Sequence, residues 1–396
     1  MAGYEVFGEE ERRAINEIFD LNGGILFAHG FDALRKGVYR VREFERAFAT
    51  RLGAKHAQAV SSGTAAIKVA LQALGVGRGD EVITQSFTFV ATVEAILETG
   101  AKPVIVDIDD TLNMDPRAFE AAITPKTKAV VPVHMMGEAA ALDEIVAIAR
   151  RHKILVMEDT AQALGARYKG RMLGTIGDIA AFSTDAGKTI NTGEGGLVVT
   201  NEDALYERAR GLHDHGHEYS KTLGRGQEGA ICVGFNFRMT ELQGAVGLAQ
   251  LAKLDMIVGR QRENKAKLMA RLRKLPLKFR RSLDGAGDLS DTIVFFLASS
   301  AKANAFVAEM AKEGLGTKNL PDAVRWHFAR HWQHMFEATG YYRDSYRSEW
   351  RASADLLERA VAIPVMVKMD DARIDTVASK LESITERVVS SNEPAA

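Results

Sequence analysis

Short apolar runs alternate with amphipathic stretches through the first two-thirds of the chain. The runs are HAQAVSS (56–62), EVITQS (81–86), KPVIVDID (102–109), TKAVVPVH (127–134), KILVMED (153–159), DIAAFST (178–184) and GGLVVTN (195–201). They are rich in Val and Ile and mostly apolar on successive positions, as strands covered on both faces are. Between them, Ile67, Ala70, Leu71 and Leu74 recur at i, i+3, i+4, i+7, the mark of one helix face. LDEIVAIARRHK (142–153) reads the same way. This alternation predicts an α/β fold with a largely parallel sheet and right-handed crossovers. A long helical tract starts near residue 240. Strand TIVFFLAS (292–299), helix KANAFVAEMAKEG (302–314) and a closing helix (371–390) follow. Their segregated order predicts a smaller α+β domain. The expected division is 1–255 for the large domain and 256–396 for the small one, with the tail 391–396 frayed.

Composition narrows the class. At 396 residues the chain is long enough for two or three domains. With 46% hydrophobic residues it can bury a core, which excludes intrinsic disorder. A net charge of −1 argues against nucleic acid as a partner. The single cysteine, Cys232, excludes a disulfide-stapled scaffold and is expected to be a small buried apolar residue. The acidic opening segment lacks the pattern of a signal peptide. No window reaches the roughly 18 apolar residues of a membrane span. The expectation is a cytoplasmic protein without membrane contact.

Four segments carry candidate chemistry, most of them at strand ends, where ligands of open α/β sheets bind. Ser61-Ser62-Gly63-Thr64-Ala65 precedes a helix: it is a phosphate site or an ordinary N-cap. Glu158-Asp159 ends an apolar strand, either as a cap or as a carboxylate facing a cationic ring nitrogen. Ser183-Thr184-Asp185-Ala186-Gly187-Lys188, followed by Gly193-Glu194-Gly195-Gly196, offers a lysine that desolvation would make a nucleophile; the alternative is a surface-loop lysine. Gly187-Lys188-Thr189 also ends like a phosphate-binding Walker loop, but Phe182 stands where that loop needs glycine. Finally, Phe235-Asn236-Phe237-Arg238-Met239-Thr240 opens the long helix, with Thr240 as a candidate cap and Asn236 and Arg238 free to bind anions.

In this order the four segments resemble the sugar aminotransferases of the DegT/DnrJ/EryC1/StrS family, within the fold-type I pyridoxal 5'-phosphate enzymes. The likeness runs from about residue 7 to 251 and more loosely beyond. Within the family the chain looks most like the 8-amino-3,8-dideoxy-octulosonate aminotransferases, which act on the oxidised sugar acid 8-oxo-Kdo. That likeness rests on YEVFG (4–8), STDAGKTINTGEGG (183–196) and HDHGH (213–217). The resemblance implies an aspartate aminotransferase-like fold with a seven-stranded sheet and a catalytic Lys188 that forms the Schiff base with the cofactor. Asp159 would partner the pyridine nitrogen and Gln162 the phenolic oxygen. Gly63, Thr64 and Ser183 would donate to the phosphate, and Phe89 would stack on the ring. Asn236 would reach the phosphate from the neighbouring subunit, implying a homodimer, with Arg238 beside it. The implied substrates are L-glutamate and a keto-sugar. A nucleotide-linked 3- or 4-keto-sugar, a cyclitol or a dehydration reaction are the alternatives; relatives that dehydrate carry His at the position of Lys188.

The chain departs from the family in three places. Thr184-Asp185-Ala186 replaces an aromatic or His-Pro element; Asp185 would tune Lys188, touch the substrate or fix the turn. The stretch 27–41 lengthens the entry to a helix, with His29, Tyr39 and Arg40 as candidate sugar contacts or parts of a solvated loop. The strip Trp326, His327, His331 and Trp332 would close over a carboxylated sugar or pack as a helix face. HDHGH is not expected to bind metal.

Overall fold

The computed structural model describes residues 2–341 and 343–389, so the tail 391–396 lies outside the described residues. Each of the seven apolar runs contains a strand. They are β1 (His56–Val60), β2 (Glu81–Gln85), β3 (Lys102–Val106), β4 (Thr127–Val131), β5 (Leu155–Asp159), β6 (Ile179–Ser183) and β7 (Gly196–Thr200). They form one sheet in the order β1-β7-β6-β5-β4-β2-β3. β7 runs antiparallel to both neighbours; the remaining pairs are parallel.

The sheet is buried on both faces, as the runs predict. Along β6, Ala181 joins the apolar cluster that contains Ala66 and Leu71. Its neighbours Ala180 and Phe182 join the opposite cluster with Phe44 and Phe48. Successive side chains of a strand point to opposite faces, so a strand covered on both sides is mostly apolar on successive positions, as Ile179–Ser183 is. The helix Gly63–Ala73 starts where Ser62 accepts the Ala65 amide at 3.1 Å. The tract from residue 240 starts with a capping box of Thr240 and Gln243 and is two helices, Glu241–Ala252 and Leu254–Leu272.

A second, antiparallel sheet is made by Lys278–Phe279, Thr292–Phe296 and Ala360–Pro364. Phe295 and Ile363 pack there with Phe306 and Leu381 of the helices Ser300–Lys312 and Asp371–Val388. The alternate residues Val294, Phe296, Ala360 and Ala362 join the cluster of the large sheet, together with Phe328, Trp332, Trp350 and Leu357. Much of the segment 320–357 therefore packs against the large sheet, although the sequence places it in the small domain. Cys232, expected to be buried, is half-buried at the edge of the same cluster.

Candidate active site

β1, β2, β5 and β6 run parallel, so the loops leaving their carboxyl ends meet at one edge of the sheet. They enclose a cavity of about 300 Å³ lined by Gly63, Thr64, Phe89, Asp159, Gln162, Ser183, Asp185 and Lys188. Gly63 is required sterically: a Cβ there would lie 2.7 Å from Ser183 Cβ. The Ser62 side chain caps only Ala65, which leaves the Gly63 and Thr64 amides without an intrahelical acceptor.

The acidic pair divides its labour by strand parity. Asp159 is buried, accepts from Thr92 Oγ1 at 2.7 Å and from the Ala161 amide at 3.1 Å, and lines the cavity. Burial pushes its carboxyl above the usual range, against Thr92, the Ala161 amide and the charge of Lys188. Glu158 accepts from the amides of Gly174, Ile176 and Gly177 at 2.7–2.8 Å and from His134 at 3.1 Å. Burial alone would raise its carboxyl, but these partners hold it below the usual range. Thr92, in turn, shares a 2.7 Å hydrogen bond with Thr88. Sequence reasoning missed both threonines. Their i, i+4 spacing in SFTFVAT, beside the candidate Phe89, was the available signal.

Lys188 lies on the loop after β6, its Nζ 3.4 Å from Asp185 Oδ2. Asp185 also accepts from the Gly187 amide at 2.6 Å and from Ser183 Oγ at 3.2 Å, so it both fixes the turn and contacts the lysine. Gln162 Oε1 accepts from the Met136 amide at 3.1 Å, which leaves its NH₂ group for a ligand. Phe89 is 42% exposed, while its neighbours Phe87 and Val90 are buried. Its ring is backed by His327 at 5.3 Å between centroids. His327 Nδ1 bonds the Ala323 carbonyl at 2.8 Å. Burial and the charge of Lys188 hold its imidazole below the usual range, so it is neutral, with Nε2 as an acceptor.

Beyond Phe89, Gln162, Asp185 and Lys188 lies a second lobe of about 510 Å³, which adds Asn319, His327 and the ion pair of Lys318 with Asp291. The strip 326–332 is divided. The Thr88 and Val90 amides donate to the carbonyls of His327 and Trp326, each at 2.9 Å, and tie this segment to the Phe89 loop. Trp332 is buried, and Trp326 is exposed.

Four expected substrate contacts, His29, Tyr39, Arg40 and Arg238, lie outside the cavity and lobe that Lys188 lines in its own chain. For His29 and Arg238 the reason is buried Asp214, which takes Arg238 and Arg225 at 2.5 Å, Tyr219 at 2.7 Å and His29 at 3.2 Å. Burial would raise its carboxyl; these partners hold it far below the usual range. His29 and Arg238 thus line a different cavity. Tyr39 is buried between the guanidinium groups of Arg35 and Arg42, its hydroxyl bonded to Asp32. Arg40 pairs with Glu17 and Glu43. Asn236 is exposed and outside the Lys188 cavity.

A mostly parallel seven-stranded sheet with a lysine after β6 and a buried acid at the end of β5, sharing one cavity, is the architecture of a fold-type I pyridoxal phosphate enzyme. The chain belongs to the DegT/DnrJ/EryC1/StrS aminotransferase family, which it matches over residues 31–382. It is 36% identical to the spore coat polysaccharide biosynthesis protein SpsC of Bacillus subtilis, over 87% of this chain and 89% of that one. It is 47% identical to the GDP-perosamine synthase of Caulobacter vibrioides, a match that spans 54% of this chain and only 56% of that relative. An aminotransferase structure from Psychrobacter cryohalolentis superimposes with a TM-score of 0.85 at 28% identity, over 97% of this chain and 98% of that one. The structure of 3-amino-5-hydroxybenzoic acid synthase does so with 0.83 at 29%, over 96% and 97%. The family's aminotransferases use pyridoxal phosphate.

Proposed function

We propose that this chain transfers an amino group from L-glutamate to a keto-sugar. The observation that carries the reading is that Lys188, Asp159 and the start of the helix Gly63–Ala73 share one cavity. This donor set fits the cofactor. A dianionic phosphate suits the free Gly63 and Thr64 amides and the Thr64 and Ser183 hydroxyls at a helix N-terminus. Asp159 would keep a ring nitrogen protonated, the Gln162 NH₂ group would bond the phenolic oxygen, and Phe89 would cover the ring. Once bound, the cofactor supplies an electron sink for the carbon that loses its proton. Lys188 holds the cofactor covalently, and its freed amine moves the proton at the substrate carbon. A positioned base of this kind contributes about 10²–10⁴ in rate. Phe89 and His327 wall the lobe in which the acceptor is oriented.

The same reading makes the protein a cytoplasmic homodimer that shares its active sites, with Asn236 reaching the phosphate of the neighbouring subunit. Exposed Ile231, Val233 and Phe235 beside Asn236 support such a contact. Among the described residues no helix is long and apolar enough to cross a membrane.

Two acceptors stand forward. 8-Oxo-Kdo is favoured by the loop 183–196 and by YEVFG; a GDP-linked keto-sugar is favoured by the perosamine synthase relatives. Each is added to the pyridoxamine phosphate form of the enzyme, and return of the visible band marks the substrate. A Lys188→Ala protein is expected to show no borohydride-stable cofactor attachment and no transamination. Full turnover by that variant would overturn the reading.

A further inference from the structure

The backbone of Lys188 is pinned at both its polar groups. Its amide donates to the Asp185 carbonyl at 3.0 Å, and its carbonyl accepts from the Gly3 amide at 3.2 Å. The second partner comes from the first described turn of the chain, Ala2–Glu5. Gly3 is seated so closely that a Cβ would lie 2.8 Å from the Asn191 amide nitrogen and 2.9 Å from Gln250 Oε1. Asn191 continues the same loop: its side chain accepts from the amide of Gly193, which lines the cavity, at 2.7 Å.

This turn is itself anchored at several points. Gln250 accepts from the Asn191 amide at 3.1 Å and donates to Glu11 at 2.8 Å. Glu11 is fully buried and takes Lys253 at 2.9 Å and the Gly8 amide at 2.7 Å. Lys253 also donates to the Val6 carbonyl at 2.8 Å. On the other side, Glu5 accepts from the Val367 and Lys368 amides at 3.2 and 2.8 Å, and Ala2 packs with Ile257 and Val367. A buried carboxylate is costly unless its hydrogen bonds are satisfied. Here every contact made by Glu11 serves the same short segment.

We propose that residues 2–11 form a clasp that positions Lys188, with Gly3 as the contact on the lysine and Glu5 as the tie to the strand end at 364–368. The proposal rests on Lys188 being the cofactor's covalent partner. The lysine must leave the cofactor and return to it in every turnover, swinging on a four-carbon stem. A fixed Cα keeps the arc of Nζ constant, and displacements of about 1 Å at such a centre cost on the order of 10²-fold in rate.

The test compares full-length wild type with Gly3→Ala and Glu5→Ala. In the apoprotein, amide hydrogen exchange across residues 185–195 is expected to speed up about fivefold in Gly3→Ala, the effect of losing one restraining hydrogen bond. On addition of pyridoxal phosphate, the visible band is expected to form about tenfold more slowly. The Kd of pyridoxamine phosphate, which has no aldehyde for the lysine, stays within about twofold. Glu5→Ala adds no atom near Lys188 and is expected to give the same pattern at about two- to threefold; it decides the matter if Gly3→Ala does not fold. Unchanged exchange and capture overturn the clasp. So does equal weakening toward both cofactor forms, which marks general loosening. A wild type that forms no band at all overturns the role of Lys188 instead, and the exchange measurement still judges the clasp.

Discussion

Two acids stand side by side at the end of β5, and one position in the pleat separates chemistry from scaffolding. Asp159→Asn is expected to lower turnover by about a hundredfold or more with little change in thermal midpoint. Glu158→Ala leaves His134 and three amides without their acceptor and is expected to cost about 3–5 kcal/mol in stability, read by thermal unfolding. The pair was visible in the sequence; the assignment of roles rests on the resemblance, because two adjacent acids look alike until the sheet fixes which face each one takes. Thr92 was missed altogether, because its one signal, the i, i+4 spacing with Thr88, does not by itself point to Asp159. Away from the site, Glu45 accepts from Gln58 at 2.6 Å and from the Ala59 amide at 2.9 Å, and burial pushes its carboxyl up to about 7 from 4.5. The folded chain therefore binds this proton more tightly than the unfolded chain. The stability it contributes is full below pH 4.5 and is lost as pH rises through about 7. The thermal midpoint of Glu45→Gln, relative to wild type, is expected to rise across that interval; a constant difference between the two would contradict the role of burial.

At the scale of elements, the strands were legible because a strand buried on both faces is apolar on most successive positions, a pattern that survives without knowledge of its neighbours. The helix Gly63–Ala73 was legible for the same reason: its face repeats locally. The 326–332 strip was not, because its fate depends on backbone pairing with the Phe89 loop far away in sequence. The long tract from residue 240 read as one helix although it breaks at Lys253, since amphipathic spacing continues across the break. Its first half crosses Arg40–Leu52 closely enough that a Cβ on Gly247 would lie 2.8 Å from the ring of Phe44. Gly247→Ala is expected to destabilise the fold by about 1–3 kcal/mol through overpacking, measurable by denaturant unfolding, and to leave the Kd for pyridoxamine phosphate unchanged.

For the whole molecule, the proposed sharing of active sites between two subunits makes a quantitative demand. Mixed subunits carrying Lys188→Ala and Asn236→Ala form hybrids with one intact site each. Activity is expected to return to about a quarter of wild type when both inactive proteins are unfolded and refolded together, as random pairing dictates. No recovery would place Asn236 outside the neighbour's site. The placement of His29 and Arg238 shows the limit of reading a sequence at this scale. Both residues looked free to meet a ligand, and both are held by Asp214, whose other partners, Tyr219 and Arg225, come from a loop that no local pattern announces. The opening segment read as acidic and amphipathic and lent YEVFG to the family likeness, but neither feature pointed to its third residue touching the backbone of Lys188.

The backbone pairing of His327 and Trp326 with Thr88 and Val90 bears on any effort to redesign this enzyme for a new acceptor. Grafting a foreign 316–332 loop would drag the aromatic plate on the opposite wall along with it. Donor loops should therefore be transplanted together with their matching 87–90 stretch, as a single cassette.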